Sequence, residues 1–83
     1  MSTQQQLAGT AGFLVSDTRG RIVGRVEGPM YGASRDVPDA LSVRSGFFSR
    51  RRRLIRVDAI DRIDDGARVI GLRIPREDVH TFL

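Results

Sequence analysis

The sequence contains no cysteine, no lysine and no tryptophan, and it has a single histidine. Without cysteine, the chain can form neither disulfides nor metal sites built on thiolates. With His80 as the sole imidazole, a Ser-His-Asp triad or a histidine-based metal centre has little to be built from. We therefore expect a protein that is not an enzyme and that has no catalytic residues, no cofactor and no metal ion.

Long apolar segments are also missing. No run approaches the roughly 18–20 residues that cross a bilayer. Residues 1–10 have neither the basic start nor the apolar stretch of a signal peptide. Their polar character, with glutamine at positions 4, 5 and 6, predicts a flexible tail over residues 1–11. Residues 12–83 are then expected to form one small cytoplasmic domain.

All 14 basic residues are arginine, and the acidic residues leave a net charge of +4. The guanidinium group is a planar fork of donors that fits carboxylates and phosphates, so a binding surface is one explanation. A genome-wide preference for arginine codons is the simpler one. A charge of +4 is also modest beside that of dedicated nucleic-acid-binding proteins.

Apolar residues recur at every second position in several short segments, which is the pattern of half-buried strands. Turn signals separate these segments. Asp17-Thr18-Arg19-Gly20 suits a type I turn, and Asp64-Asp65-Gly66 suits a hairpin because glycine accepts a positive φ. Residues 59–63 are either extended or a single turn. Strands are expected within residues 12–17, 20–32, 40–47, 53–57 and 67–74.

Glycines fall at every fourth position from residue 20 to residue 32. On a strand this spacing puts all of them on one face, together with Ile22, Val26 and Met30, because side chains alternate. Small barrels use such an alternation of large and absent side chains on the inward face. The alternative is that Gly28-Pro29 ends the strand and that the later glycines belong to a loop. Both interpretations place Ile22 and Val26 inside.

The C-terminal residues have a different period. Pro75 fits the first position of a helix, and Glu77 and Asp78 complement the positive end of its dipole. Apolar residues at 79, 82 and 83 then predict a helical turn that covers the core. The predicted fold is mostly β: a small five- to six-stranded antiparallel barrel or curled sheet with a short C-terminal helical turn.

Three stretches of the sequence resemble one known family. Residues 15–26 read VSDTRGRIVGRV, residues 41–48 read LSVRSGFF, and residues 53–60 read RLIRVDAI. These are similar to the opening hairpin, the central strand and the later strand of the PRC-barrel family. The sequence departs from the family pattern at Arg56, where proline is usual, and at Ile74, where serine or threonine is more typical. The resemblance implies a scaffold or docking role and supplies no catalytic residues.

The candidate binding residues are the arginines around a run of four, namely Arg44, Arg50, Arg51, Arg52, Arg53 and Arg56. A solvated connector that protects a strand edge is the simplest interpretation. An acidic protein surface, or the phosphates of RNA or of a lipid surface, would also fit. The leading hypothesis is a non-enzymatic interaction module that binds another protein or itself, with a homodimer as one form. The alternative is an RNA- or ribosome-associated factor that uses Arg50–Arg53.

Overall fold

The computed structural model describes residues 7–32, 38–45 and 51–82, which form one mixed sheet of seven strands. The predicted mostly-β fold is confirmed, with one strand more than expected. The strands lie side by side in the order β5-β6-β1-β2-β3-β4-β7. Their bounds are β1 Leu14–Ser16, β2 Ile22–Met30, β3 Ala40–Arg44, β4 Arg52–Arg56, β5 Ile60–Asp64, β6 Val69–Leu72 and β7 His80–Phe82.

The prediction of a purely antiparallel sheet was wrong at one pairing. β1 and β6 run parallel, with Val15 opposite Ile70. All the other pairings that the structure describes are antiparallel. A parallel pair needs a long crossover, and here β2, β3 and β4 supply it before the β5–β6 hairpin returns beside β1. Sequence periodicity reports burial rather than strand direction, so it carried no signal for this pair.

The two predicted hairpins are confirmed. β1 and β2 are joined through residues 17–21, where Gly20 has a φ of 77° and its N–H donates to the carbonyl of Asp17 over 3.0 Å. β5 and β6 are joined through a turn over residues 65–68. In this second turn the left-handed residue is Arg68, with a φ of 59°, and not Gly66 as expected.

Two bulges in β2 overturn the predicted glycine face. The pairing register shifts once between β1 and β2 and again between Val26 and Gly28. Each extra residue reverses the alternation of the side chains. Val23 and Val26 are therefore both buried, whereas Ile22, which was expected inside, is 49% exposed. The strand continues to Met30, so the alternative in which Gly28-Pro29 ends it was also wrong.

Gly24 is required where β2 approaches β3. A Cβ atom at this position would overlap the carbonyl oxygen of Arg44 and would lie 2.8 Å from Cγ1 of Val43. At Gly28, on the same strand, an added Cβ would meet nothing within 4 Å. The glycine spacing in the sequence therefore has a packing cause at position 24 and none at position 28.

The predicted short C-terminal helical turn is present as a 3-10 turn, but a strand and not further helix follows it. The turn spans Arg76–Asp78, and β7 then pairs with β4, with Thr81 opposite Arg53. Pairing satisfies backbone groups that β4 would otherwise leave open on that side. Apolar residues at positions 79, 82 and 83 are too few to distinguish a helical turn from a strand. Leu83 lies outside the described residues.

The core begins before the predicted domain boundary. Leu7 is fully buried in a 3-10 turn, Leu7–Gly9, and Thr10 donates its hydroxyl to the Leu7 carbonyl over 2.8 Å. The tail predicted over residues 1–11 thus gives way to packed structure at Leu7, and residues 1–6 lie outside the described residues. The buried cluster comprises Leu7, Phe13, Val15, Val23, Val26, Leu41, Val43, Ile55, Ile60, Ile70, Leu72 and Val79.

The sheet is not closed within the described residues, since β5 pairs only with β6 and β7 only with β4. The helical segments of the described part are single 3-10 turns. None of them has the length and apolarity of a membrane-crossing helix.

Candidate functional site

The described arginines of the run do not form a single surface, because β4 turns alternate side chains to opposite faces. Arg52 lies directly opposite Arg44 of β3, on the face that points away from the core. Arg53 lies opposite the buried Val43, on the core-side face. Arg44 and Arg52 thus lie in different surroundings from Arg53.

One group of side chains, the outer cluster, is Glu27, Ser42, Arg44 and Arg52. Nε of Arg52 lies 2.7 Å from Oε1 of Glu27, and Nε of Arg44 lies 3.4 Å from Oε2. The Ser42 hydroxyl donates to the same carboxylate over 3.3 Å. The hydrogen bond from Arg52 is the main reason that the pKa of Glu27 is lowered. One acidic side chain on β2 therefore neutralises part of the charge of two predicted binding residues.

The remaining candidates differ in exposure and in partners. Arg56 pairs with Asp58 at 3.4 Å, and since both side chains are about 70% exposed, this ion pair is weak. Arg51 is exposed, and its carbonyl accepts the N–H of Ser45 over 3.4 Å. Arg50 lies outside the described residues.

One cleft, the arginine cleft, lies between β2, the start of β4 and the turn Arg76–Asp78. It has a volume of about 370 Å³ and is lined by Ile22, Val23, Gly24, Ser45, Arg51, Arg53 and Arg76. Nη1 of Arg53 donates to the Arg76 carbonyl over 3.4 Å, and Nη1 of Arg76 donates to the Ile22 carbonyl over 3.4 Å. These acceptors are neutral, so they hold the two guanidinium groups in place without cancelling their charge.

Sequence reasoning missed the role of Asp17, which it assigned only to a turn. The side chain of Asp17 is fully buried and accepts the backbone N–H groups of Arg19 at 2.9 Å, Arg21 at 2.8 Å and Arg76 at 2.8 Å. The Arg21 guanidinium donates to it as well, over 2.9 Å. Asp17 thereby ties the β1–β2 turn to the turn that carries Arg76.

The electrostatics of Asp17 follow from these contacts. Burial alone would raise its pKa, but the backbone donors and the Arg21 guanidinium together outweigh burial and hold the pKa well below its usual range. Arg21 also forms a two-point pair with Glu77, in which Nη2 lies 2.7 Å from Oε2. This pair lowers the pKa of Glu77 to about 2. The signal in the sequence was an Asp four residues before an Arg across a Gly-containing turn, but its distant partners could not be read there.

A second, smaller cleft of about 220 Å³ lies where the end of β4 meets residues 58–59, 73–74 and 78–79. Its lining includes the apolar Leu54, Ala59 and Ile74, and the charged residues around it have both signs, with Arg73 and Asp78 among them. Such a mixed lining favours no particular ligand.

Within the described ranges, no group of three or more histidine, aspartate or glutamate side chains is arranged to hold a metal ion. Comparison with protein-family models, with curated proteins and with solved structures gave no match for this chain. The PRC-barrel resemblance therefore stays a prediction.

Proposed function

We propose that this chain is a non-enzymatic protein-interaction module with a PRC-barrel-like curled sheet, and that it binds an extended acidic segment of another protein along β7. The observation that carries the proposal is the difference between the two ends of the sheet. β5 has three charged residues, Asp61, Arg62 and Asp64, and its pairing register shifts between residues 60 and 62. β7 contains no Asp, Glu or Arg.

An open strand edge offers unpaired N–H and C=O groups, and proteins protect such edges with charges and bulges. β5 has both forms of protection, whereas β7 has neither in the described structure. An unprotected edge is the element that a partner segment extends when it adds a strand to a sheet. This supports β7 as the docking edge.

Charge supports an acidic segment of another protein over a second copy of this chain. The net charge is +4, and Arg53 lies directly opposite Thr81 in the β4–β7 pair. A second copy would bring the same positive charge to the edge, while an acidic strand would meet complementary charge. Homodimerisation is therefore an outcome that the experiment must separate from partner binding.

The buried cluster supports the curled sheet. Nine of its twelve members lie on strands, and these nine come from β1, β2, β3, β4, β5 and β6. Neighbouring strands lie about 4.8 Å apart, so strands this far apart in a flat sheet would not share one cluster. Curvature brings them together without requiring β5 and β7 to pair.

The proposal is tested with a short synthetic peptide that alternates valine and glutamate, using its valine–lysine counterpart as a control. We expect only the acidic peptide to bind, and we expect its binding to slow hydrogen exchange of the β7 amides. Thr81→Glu should abolish this binding by like-charge repulsion. Thr18→Glu makes the same charge change in the exposed β1–β2 turn and should leave binding intact.

Three results would contradict the proposal. The first is equal binding of both peptides, and the second is slowed exchange at β5 in place of β7. The third is a concentration-dependent dimer that Thr81→Glu disrupts, which would make self-association the function. Binding of single-stranded RNA with a log–log salt slope of about −3 would instead favour the RNA-associated alternative. The pairing of Arg44 and Arg52 with Glu27 counts against a continuous row of phosphate contacts.

A further inference from the structure

The arginine cleft combines three guanidinium-bearing residues with an apolar wall. Arg51, Arg53 and Arg76 line it, and no carboxylate among the described residues does. Its volume of about 370 Å³ lies within the usual range for small-molecule sites, roughly 300–1,000 Å³. The nearest acidic neighbour in sequence, Glu77, has its carboxylate engaged by Arg21.

Arg53 has a hydrogen-bond donor without an acceptor among the described residues. Its Nε is buried and has no hydrogen-bond partner among the described residues. Buried polar atoms in native proteins nearly always have a partner, and one without a partner calls for a physical reason. An oxygen of a bound anion would accept this N–H and would also face the charge of the guanidinium.

Arg76 also lines the cleft and contributes the second guanidinium group. Its backbone N–H donates to the buried carboxylate of Asp17 over 2.8 Å, so the position of the turn is fixed. Its guanidinium reaches the Ile22 carbonyl over 3.4 Å, which holds it beside the cleft. A preorganised pair of guanidinium groups loses little conformational entropy on binding an oxyanion.

The apolar wall narrows the class of ligand. Ile22 is 49% exposed and lies against the cleft, with Val23 beside it. A free inorganic anion would leave this apolar surface in water, whereas an organic group attached to the anion would cover it.

We propose that the arginine cleft binds a small phosphate monoester, with the phosphate between Arg53 and Arg76 and its organic group against Ile22. This proposal does not rest on strand docking along β7, although Arg53 lies both beside β7 and in the cleft.

The test is calorimetric titration of the whole chain with phenyl phosphate, inorganic phosphate and phenol. Phenyl phosphate should bind more tightly than inorganic phosphate, and phenol should not bind. Arg53→Gln and Arg76→Gln should each weaken phenyl phosphate about tenfold, which is the effect of losing one charged hydrogen bond.

Arg25→Gln is the matched control. Arg25 is exposed, lies on β2 outside the cleft and donates to the Gly12 carbonyl over 3.1 Å, so the substitution removes the same charge from a similar setting. We expect the Arg25→Gln variant to bind phenyl phosphate with the same affinity as the unaltered chain. Circular dichroism establishes that each variant is folded, and Arg76→Gln on the exposed turn keeps the test decisive if Arg53→Gln unfolds. Equal weakening by all three variants, or no binding of phenyl phosphate, would overturn the proposal.

Discussion

Neighbouring arginines on the two faces of β4 differ in whether a carboxylate lies beside them. Arg52, in the outer cluster, shares the carboxylate of Glu27 with Arg44. Arg53, one residue later, donates to a backbone carbonyl and keeps a buried Nε without a partner among the described residues. Both residues are arginines on the same strand, and only the face of the sheet differs.

This comparison shows that a run of like charges is not one functional unit when it lies on a strand. The pleat sends successive residues to different neighbours, and those neighbours decide which charges stay available for a ligand. In this chain Glu27 on β2 neutralises part of the charge on the outer face. The buried Asp17 instead fixes the turn that carries Arg76 beside the arginine cleft. Substitutions on each face test this division separately.

Gly24→Ala should have the largest effect, because Gly24 lines the arginine cleft and contacts the backbone of Arg44. The added methyl group forces β2 and β3 apart beside the arginine cleft. We expect a loss of about 1–3 kcal/mol in the free energy of unfolding, measured by urea denaturation. Phenyl phosphate affinity should fall in the same variant.

Gly28→Ala is the control for this substitution, since an added Cβ there meets nothing within 4 Å. Its free energy of unfolding should stay within about 0.5 kcal/mol of the starting value. Equal stability of the two variants would contradict the claim that the close approach of β2 and β3 requires glycine at position 24.

Asp17→Asn should destabilise the chain near neutral pH, because the amide nitrogen would face N–H donors in either orientation. At Oδ1 these are the backbone N–H groups of Arg19 and Arg21, and at Oδ2 they are the backbone N–H of Arg76 and the Arg21 guanidinium. The pKa of folded Asp17 lies below its ordinary value of 3.8. Its carboxylate therefore stabilises the fold fully above that pH, and this contribution is lost as the pH falls through the lowered pKa. The stability gap between the two proteins should shrink from about pH 7 to about pH 3.

Asp58→Asn is the matched control for Asp17→Asn, because Asp58 is exposed and pairs only with the exposed Arg56 among the described contacts. Urea unfolding at both pH values should detect almost no change in this variant. A gap for Asp17→Asn that stays constant or widens in acid would contradict the role given to the Asp17 carboxylate.

Of the three test substitutions, Glu27→Gln should have the smallest effect on stability, at most about 1 kcal/mol, since the outer cluster is partly exposed. It should also make the outer face behave more like the cleft, because Arg44 and Arg52 lose their shared counter-charge. Calorimetry should then detect an additional, weaker phase of phenyl phosphate binding. A loss of several kcal/mol would show instead that the cluster is a structural element.

The sequence supported the mostly-β class and both hairpins, because alternation and turn residues are local signals. Asp17 and Gly20 identified one turn, and the residues from Asp64 to Gly66 identified the other. The bulges in β2 had no comparable signal, and they moved Ile22 from the expected interior to the surface. A shift of one residue depends on the partner strand, which a single segment does not reveal.

The sequence indicated some of the residues in the candidate site but not how they are arranged in space. Arg53 was identified with its neighbours, but the division between Arg52 and Arg53 depends on where Glu27 and Arg76 lie after folding. Arg76 was not singled out, because it lies 23 residues from Arg53 in sequence. Such contacts arise from the order of strands in the sheet, and the sequence carries no local pattern for that order.

The most direct measurement is an NMR titration of the arginine Nε–Hε signals with phenyl phosphate. The Arg53 signal should shift and saturate, because its buried N–H gains an acceptor, while the Arg52 signal should stay in place beside Glu27. If Arg52 shifted as much as Arg53, or if the Arg53 signal did not move, the division between the two faces of β4 would be contradicted.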